Sequence, residues 1–115
     1  MGEDCLFCRI ASKEIPSNVV YEDEQVLAFL DLNPQAPTHV LVIPKRHVAN
    51  LLDAAPTQQD LLGYLMLKCA EVARQLGIGE GGFRVVANCG PDGGQTVGHL
   101  HFHVLGGRAL TWPPG

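Results

Sequence analysis

The sequence predicts an α+β domain built on an antiparallel sheet. Three observations predict it: short apolar runs follow one another in hairpin-like succession, a single long segment carries helical periodicity, and 115 residues suit one core. Hydrophobic residues make up 46% and charged residues 17%, a balance that excludes a disordered chain. The reading is therefore one domain over residues 1–115.

Residues 7–11 can form one short helical turn ahead of Ile15-Pro16. Val19–Glu22 and Val26–Leu30, separated by the acidic pair Asp23-Glu24, read as a β-hairpin. Asn33-Pro34 and Ala36-Pro37 mark a stiff loop, because proline fixes φ and constrains the residue before it. His39–Pro44 then reads as a strand rich in β-branched residues. The long helix is expected from about Thr57 to Leu76: Leu61, Leu62, Leu65, Cys69, Val72, Ala73 and Leu76 recur on one face. Thr57 and Asp60 have the spacing of a capping box, and Gly77 is placed to end the helix. Phe83–Ala87 and His99–Leu105 supply the remaining strands. The tail, residues 109–115, carries the one tryptophan, Trp112, and is expected to dock at an interface with a second subunit.

Charge and targeting signals narrow the function. The net charge is −4 and no basic stripe exists, which argues against a polymeric nucleic acid as partner. No basic n-region precedes an apolar run, and no stretch approaches the ~18 apolar residues of a membrane span. The expected location is the cytoplasm, without membrane attachment. Cys5 and Cys8 form a CxxC spacing, which in that setting reads as a metal or redox motif, or as two ordinary buried thiols, rather than as a disulfide.

The chemistry concentrates in His99-Leu100-His101-Phe102-His103-Val104. On a strand the three histidines share one face while Leu100, Phe102 and Val104 enter the core. Residues i and i+4 lie ~13 Å apart along a strand, so His99 and His103 cannot both ligate one ion and the two ends of the row do different work. Cys5 and Cys8 supply two thiolates for zinc, with His47 and His99 as the candidate imidazoles. At the other end Gly93-Gly94-Gln95-Thr96 leads into the histidines; glycines let backbone N–H groups approach a phosphate, and Thr96 adds a hydroxyl.

These residues resemble a known family. His99–Leu105 is similar to the HφHφHφφ signature of histidine-triad proteins, and the likeness extends through CLFCRI at 5–10, LAFLDLNPQAPTHVLVIPKRH at 27–47, NCGPDGGQTVGHLHFHVLGGR at 88–108 and the ending WPPG. The match looks like the histidine-triad nucleotide-binding branch that hydrolyses purine nucleoside phosphoramidates, adenylate joined to an amine for example. The resemblance implies a five-stranded antiparallel sheet with one long and one short helix, and two subunits joining their sheets in a homodimer. It implies His101 as nucleophile, with a nucleotidyl-histidine intermediate, and His103 and Asn88 as holders of the phosphate oxygens. Thr96, Gly94 and Gln95 match the phosphate loop, Asp31 the acceptor for the ribose hydroxyls, and Phe7, Ile10, Phe29 and Leu32 the walls around a purine base of an AMP or GMP derivative. One structural zinc per chain on Cys5, Cys8, His47 and His99 is implied for members that keep the CxxC. His39 lies near the site in the family. Gly98 departs from close eukaryotic relatives, which often carry a bulkier residue before the first histidine, and this bears on the pocket entrance and the leaving group.

Two rival readings have distinct signatures. The same covalent chemistry could cleave a dinucleoside polyphosphate or another nucleotidyl anhydride. Alternatively the domain could be a zinc-containing interaction module, against which the complete set of His101, His103, Thr96 and Asn88 counts.

Overall fold

A computed structural model describes residues 4–115. In chain order the elements are α1 (Leu6–Ala11), β1 (Val19–Glu22), β2 (Val26–Leu30), β3 (Thr38–Pro44), α2 (Gln59–Gln75), β4 (Phe83–Val86) and β5 (Phe102–Gly106). The five strands form one antiparallel sheet in the order β1-β2-β3-β5-β4. None of the described helices is long and apolar enough to cross a membrane.

Both faces of the sheet are covered, which explains why β2 and β3 read as continuous apolar runs rather than alternating ones. Val26, Ala28, Val40, Val42, Phe102 and Val104 face α2 and pack on Leu65, Cys69, Val72 and Ala73. Leu27, Phe29, Leu41 and Ile43 face the opposite way and pack under Phe7 and Ile10 of α1. Helix α1 therefore sits over the central strands, on the face that also carries the histidines. A network pins α2 to the β1–β2 hairpin: Tyr21 and Tyr64 both donate to Asp23 Oδ2, while Asp23 Oδ1 accepts from the N–H groups of Gln25 and Val26.

Two expectations need correction. No Thr57–Asp60 capping box opens α2. A 3₁₀ turn over Pro56–Gln58 precedes the helix, and the Gln58 side chain reaches back to the Ala55 N–H at 2.8 Å. Proline at the first position of that turn needs no partner for a missing N–H, so Gln58 is left to satisfy the exposed donor. At the other end Gly77 takes φ +80°, and the Gly77→Arg74 and Ile78→Ala73 backbone bonds close a Schellman motif, as the glycine foretold.

The last strand starts at Phe102, not at His99. Ladder pairing with β3 ends at Val42–Phe102. Before it, the His99 N–H turns to Val97 O and the Leu100 N–H to Val48 O at 2.6 Å, so the chain bends out of the sheet. The alternation survives the bend: Leu100 joins Phe102 and Val104 in the core under α2, and the three histidines stay on the other side.

Candidate active site and metal centre

The bend at His99 separates two centres. In the first, α1 begins at a Cys5 whose sulfur accepts from the Cys8 N–H at 3.3 Å, a capping interaction that turns both thiols of the CxxC to the same side. His47, just beyond β3, and His99 complete a cluster whose ligand atoms all lie within 4.8 Å of one another. His99 Nδ1 is 3.2 Å from Cys5 Sγ, 3.5 Å from Cys8 Sγ and 3.3 Å from His47 Nδ1, and the last is 3.3 Å from Cys8 Sγ. Ligands of a tetrahedral zinc stand about 3.3–3.8 Å apart, given bonds near 2.0 Å to nitrogen and 2.3 Å to sulfur, so the cluster has the right dimensions. The tautomer fits as well. His99 Nε2–H donates to Pro44 O at 2.8 Å, which leaves Nδ1 bare and aimed at the sulfurs. Burial and the adjoining Cys5 thiol push Cys8 up to about 11, so the protein alone does not hold a thiolate there; a divalent cation would.

The second centre is a cleft of about 320 Å³ between α1, the 15–18 segment, β2 and the 96–101 segment. Phe7 and Phe29 meet edge to face at 5.5 Å, and Ile10, Leu41 and Pro16 extend the apolar wall. Asp31, Leu32, Thr96 and His101 line the same space. A volume in this range suits a ligand of nucleotide size.

His101 and His103 meet here with ring centroids 5.0 Å apart, and their hydrogen bonds fix their protonation. His101 Nδ1–H donates to the His99 carbonyl at 2.7 Å, so Nε2 carries the lone pair. The tautomer of His103 is set through His39. The Gln35 N–H donates to His39 Nδ1 at 3.0 Å, so His39 carries its proton on Nε2. His39 Nε2 lies 2.9 Å from His103 Nδ1, which must accept that proton, and His103 in turn carries its own on Nε2. His103 Nε2 is buried without any protein partner among the described residues. A buried donor of this kind calls for an acceptor.

Burial holds both imidazoles neutral. It pushes His103 down to about 4, reinforced by His101 and His39 and opposed by Asp31, and it also lowers His39 against the pull of Asp31. Asp31, His39 and His103 lie close enough to suggest a second metal site, but the tautomers oppose it. A cation on His39 Nε2 would displace its proton to Nδ1, where the Gln35 N–H already points.

The sequence-derived site residues divide accordingly. Cys5, Cys8, His47 and His99 come together, as do Phe7, Ile10, Phe29, Asp31, Leu32, Thr96 and His101, with His103 beside the last. Asn88, Gly94 and Gln95 are not among the residues lining the cleft. Gln95 is a brace for its loop: its side chain accepts from the Gly90 N–H and donates to Ala49 O and Val97 O. Asp31 Oδ1 accepts from the Asn33 N–H at 2.8 Å, leaving Oδ2 toward His39 at 3.5 Å. Sequence reasoning missed Ile15, Pro16, Ser17 and Asn18, which close one side of the cleft. Their signal was a proline-stiffened segment between the short helix and the hairpin. It also gave His39 no role, although its position in the first of two adjacent strands places it diagonally across from His103.

A family profile described as the HIT domain matches residues 12–110. An HIT-like protein of Synechococcus elongatus is 56% identical over the full length of both chains. A 14 kDa zinc-binding protein of Zea mays is 54% identical over 112 residues, 96% of this chain and 87% of its own. Among solved structures, an HIT family hydrolase from Legionella pneumophila Philadelphia 1 superposes with a TM-score of 0.96 at 49% identity, covering 97% of this chain and 100% of that one. A histidine triad protein from Clostridium difficile gives 0.91 at 50% identity, covering 94% of each.

Proposed function

This chain belongs to the HIT domain family, and on that premise we propose that it hydrolyses purine nucleoside phosphoramidates through a covalent nucleotidyl-His101 intermediate. The observation that carries the reading is the 2.7 Å bond from His101 Nδ1–H to the His99 carbonyl, which leaves a bare Nε2 in a cleft of nucleotide size. A neutral imidazole is nucleophilic without a strong base.

The nucleoside lies along Phe7, Ile10, Phe29 and Leu32, with its ribose hydroxyls donating to Asp31, and the α-phosphoryl group reaches His101. Nε2 attacks phosphorus, the P–N bond to the amine breaks, and the departing nitrogen takes a proton from solvent, with the Thr96 hydroxyl at the cleft as the relay. The His101 ring becomes cationic while it carries phosphorus on Nε2 and a proton on Nδ1, and the His99 carbonyl facing that proton stabilises it. The His103 Nε2–H donates to a phosphoryl oxygen, which satisfies the orphaned donor. Water then attacks phosphorus and returns a proton to solvent, the N–P bond breaks, and the nucleoside monophosphate leaves with the neutral ring restored.

Cys5, Cys8, His47 and His99 are the residues that would hold a zinc ion. Its contribution there is structural: four protein ligands leave no open position, and the ion ties α1 to the segment that carries His101. The same reading includes a homodimer in the cytoplasm. The support for a second subunit is Trp112, which stays 81% exposed although the Arg84 guanidinium grips the preceding Leu110 and Thr111 carbonyls.

The test is a comparison of kcat/KM for an adenylate-amine substrate and for dinucleoside polyphosphates. The reading requires the phosphoramidate to be preferred by more than about a hundredfold, and preference for the polyphosphate would replace it with the anhydride hydrolase.

A further inference from the structure

The loop from Asn33 to Pro37 carries the Gln35 N–H that faces His39 Nδ1, and the two residues after β5 hold that loop in two places. Arg108 donates to the Gln35 carbonyl at 2.9 Å and to the Ala109 carbonyl at 3.1 Å. One residue earlier, Gly107 takes φ +92°, and a Cβ there would stand 2.9 Å from the Pro37 Cβ. The close approach and the positive φ both require glycine. Gln35 is thus gripped at its carbonyl by Arg108, while its N–H faces His39 Nδ1 and its side chain donates to Asn33 O.

We infer that Arg108 is a positioning residue: it holds the 33–37 loop so that the Gln35 N–H keeps His39, and through it His103, in the tautomer that presents Nε2–H to the substrate. An exposed arginine at a strand end is ordinarily a solvated charge. This one spends both hydrogen bonds on backbone carbonyls, and one of them belongs to the residue that fixes the tautomer. Without it the loop can move away from His39. Nδ1 then becomes free to carry the proton, and His103 loses the donor that forces its own proton onto Nε2. The effect on turnover rests on the function proposed above; the effect on the tautomers does not.

The experiment uses the full chain labelled with ¹⁵N-histidine, at about pH 8 where neutral imidazole prevails. Imidazole ¹⁵N shifts report which nitrogen carries the proton. In the unaltered protein, His39 and His103 are each expected to show a protonated Nε2 and a bare Nδ1. Arg108→Ala should move both toward mixed tautomers and lower kcat on an adenylate-amine substrate about five- to tenfold, within the range for residues acting through packed intermediates, with KM altered less than about twofold. Gly107→Ala, which pushes on Pro37 instead, should mix the same two tautomers, and it serves if Arg108→Ala does not fold. Arg84→Ala frees the tail carbonyls without touching Gln35 and should leave both tautomers intact. Unmixed tautomers in Arg108→Ala, whatever its activity, overturn the inference. Absence of phosphoramidate turnover in the unaltered protein overturns the proposed function and leaves the tautomer measurement to decide this one.

Discussion

His39 Nε2 lies 2.9 Å from His103 Nδ1, a hydrogen bond between two neutral imidazoles on adjacent strands. Its direction is set from outside, by the Gln35 N–H on the far nitrogen of His39. His39→Leu removes the donor and frees His103 to place its proton on Nδ1. We expect kcat to fall about tenfold with KM little changed, the loss expected when an interaction serves the transition state alone. His39→Gln, whose amide can still donate, should retain more activity than His39→Leu. Steady-state kinetics on the three proteins checks the order.

In the proposed reaction Asp31 serves binding. One carboxylate oxygen shapes the local turn through the Asn33 N–H, the other lies 3.5 Å from His39 Nε2, and the residue lines the cleft. Ribose contacts exist in ground and transition states alike, so Asp31→Ala should raise KM about tenfold and change kcat far less. A collapse of kcat at constant KM would move Asp31 into the chemistry.

Removal of the metal should cost stability and spare turnover. Elemental analysis is expected to give one zinc per chain. Chelation should lower Tm by more than about 10 °C, because the ion binds only the folded arrangement of Cys5, Cys8, His47 and His99. Activity assayed well below the new Tm should persist. Rapid loss of turnover without unfolding would make the metal catalytic.

Asp23 predicts an acid-dependent term. Burial raises its carboxyl, but the hydrogen bonds from Tyr21, Tyr64, Gln25 and Val26 outweigh that and bring it from 3.8 down to about 2. A carboxylate depressed in the folded state stabilises it above the unfolded value and loses that contribution as pH falls through the folded one. Asp23→Asn should therefore lower Tm at neutral pH, and the gap between the two proteins should close between about pH 4 and pH 2. A gap of constant size across that range would show that the carboxylate charge contributes nothing.

The order of strands and helices was legible because each element carried its own periodicity or punctuation. Gly77 ended α2 where a Schellman motif formed, and β1 and β2 kept the bounds read from Val19–Glu22 and Val26–Leu30. The histidine row was legible in its alternation and misread in its backbone. Nothing local in His99-Leu100-His101 announces that the chain leaves the ladder, since the bend answers to Val48, Pro44 and the cysteines, all distant in sequence. The roles of His39, Gln35 and Gln95 were hidden for the same reason. Each depends on which nitrogen or carbonyl lies opposite, and only the fold decides that. The apolar cleft walls sat between these extremes: Phe7 and Phe29 were found, while Ile15 to Asn18 looked like a connection.

The proposed reaction turns on a covalent bond between His101 Nε2 and the nucleotide phosphorus. Rapid acid-free quenching of the protein during turnover of a substrate labelled with ³²P at the α-phosphate, followed by peptide mapping, tests it directly. Label is expected on the peptide containing His101, stable to base and lost in acid as a phosphorus–nitrogen bond is. In His101→Ala no label is expected, with turnover lower by about six orders of magnitude, the scale set by removal of a covalent nucleophile. Label at another residue, or near-normal turnover by His101→Ala, would contradict the proposed reaction.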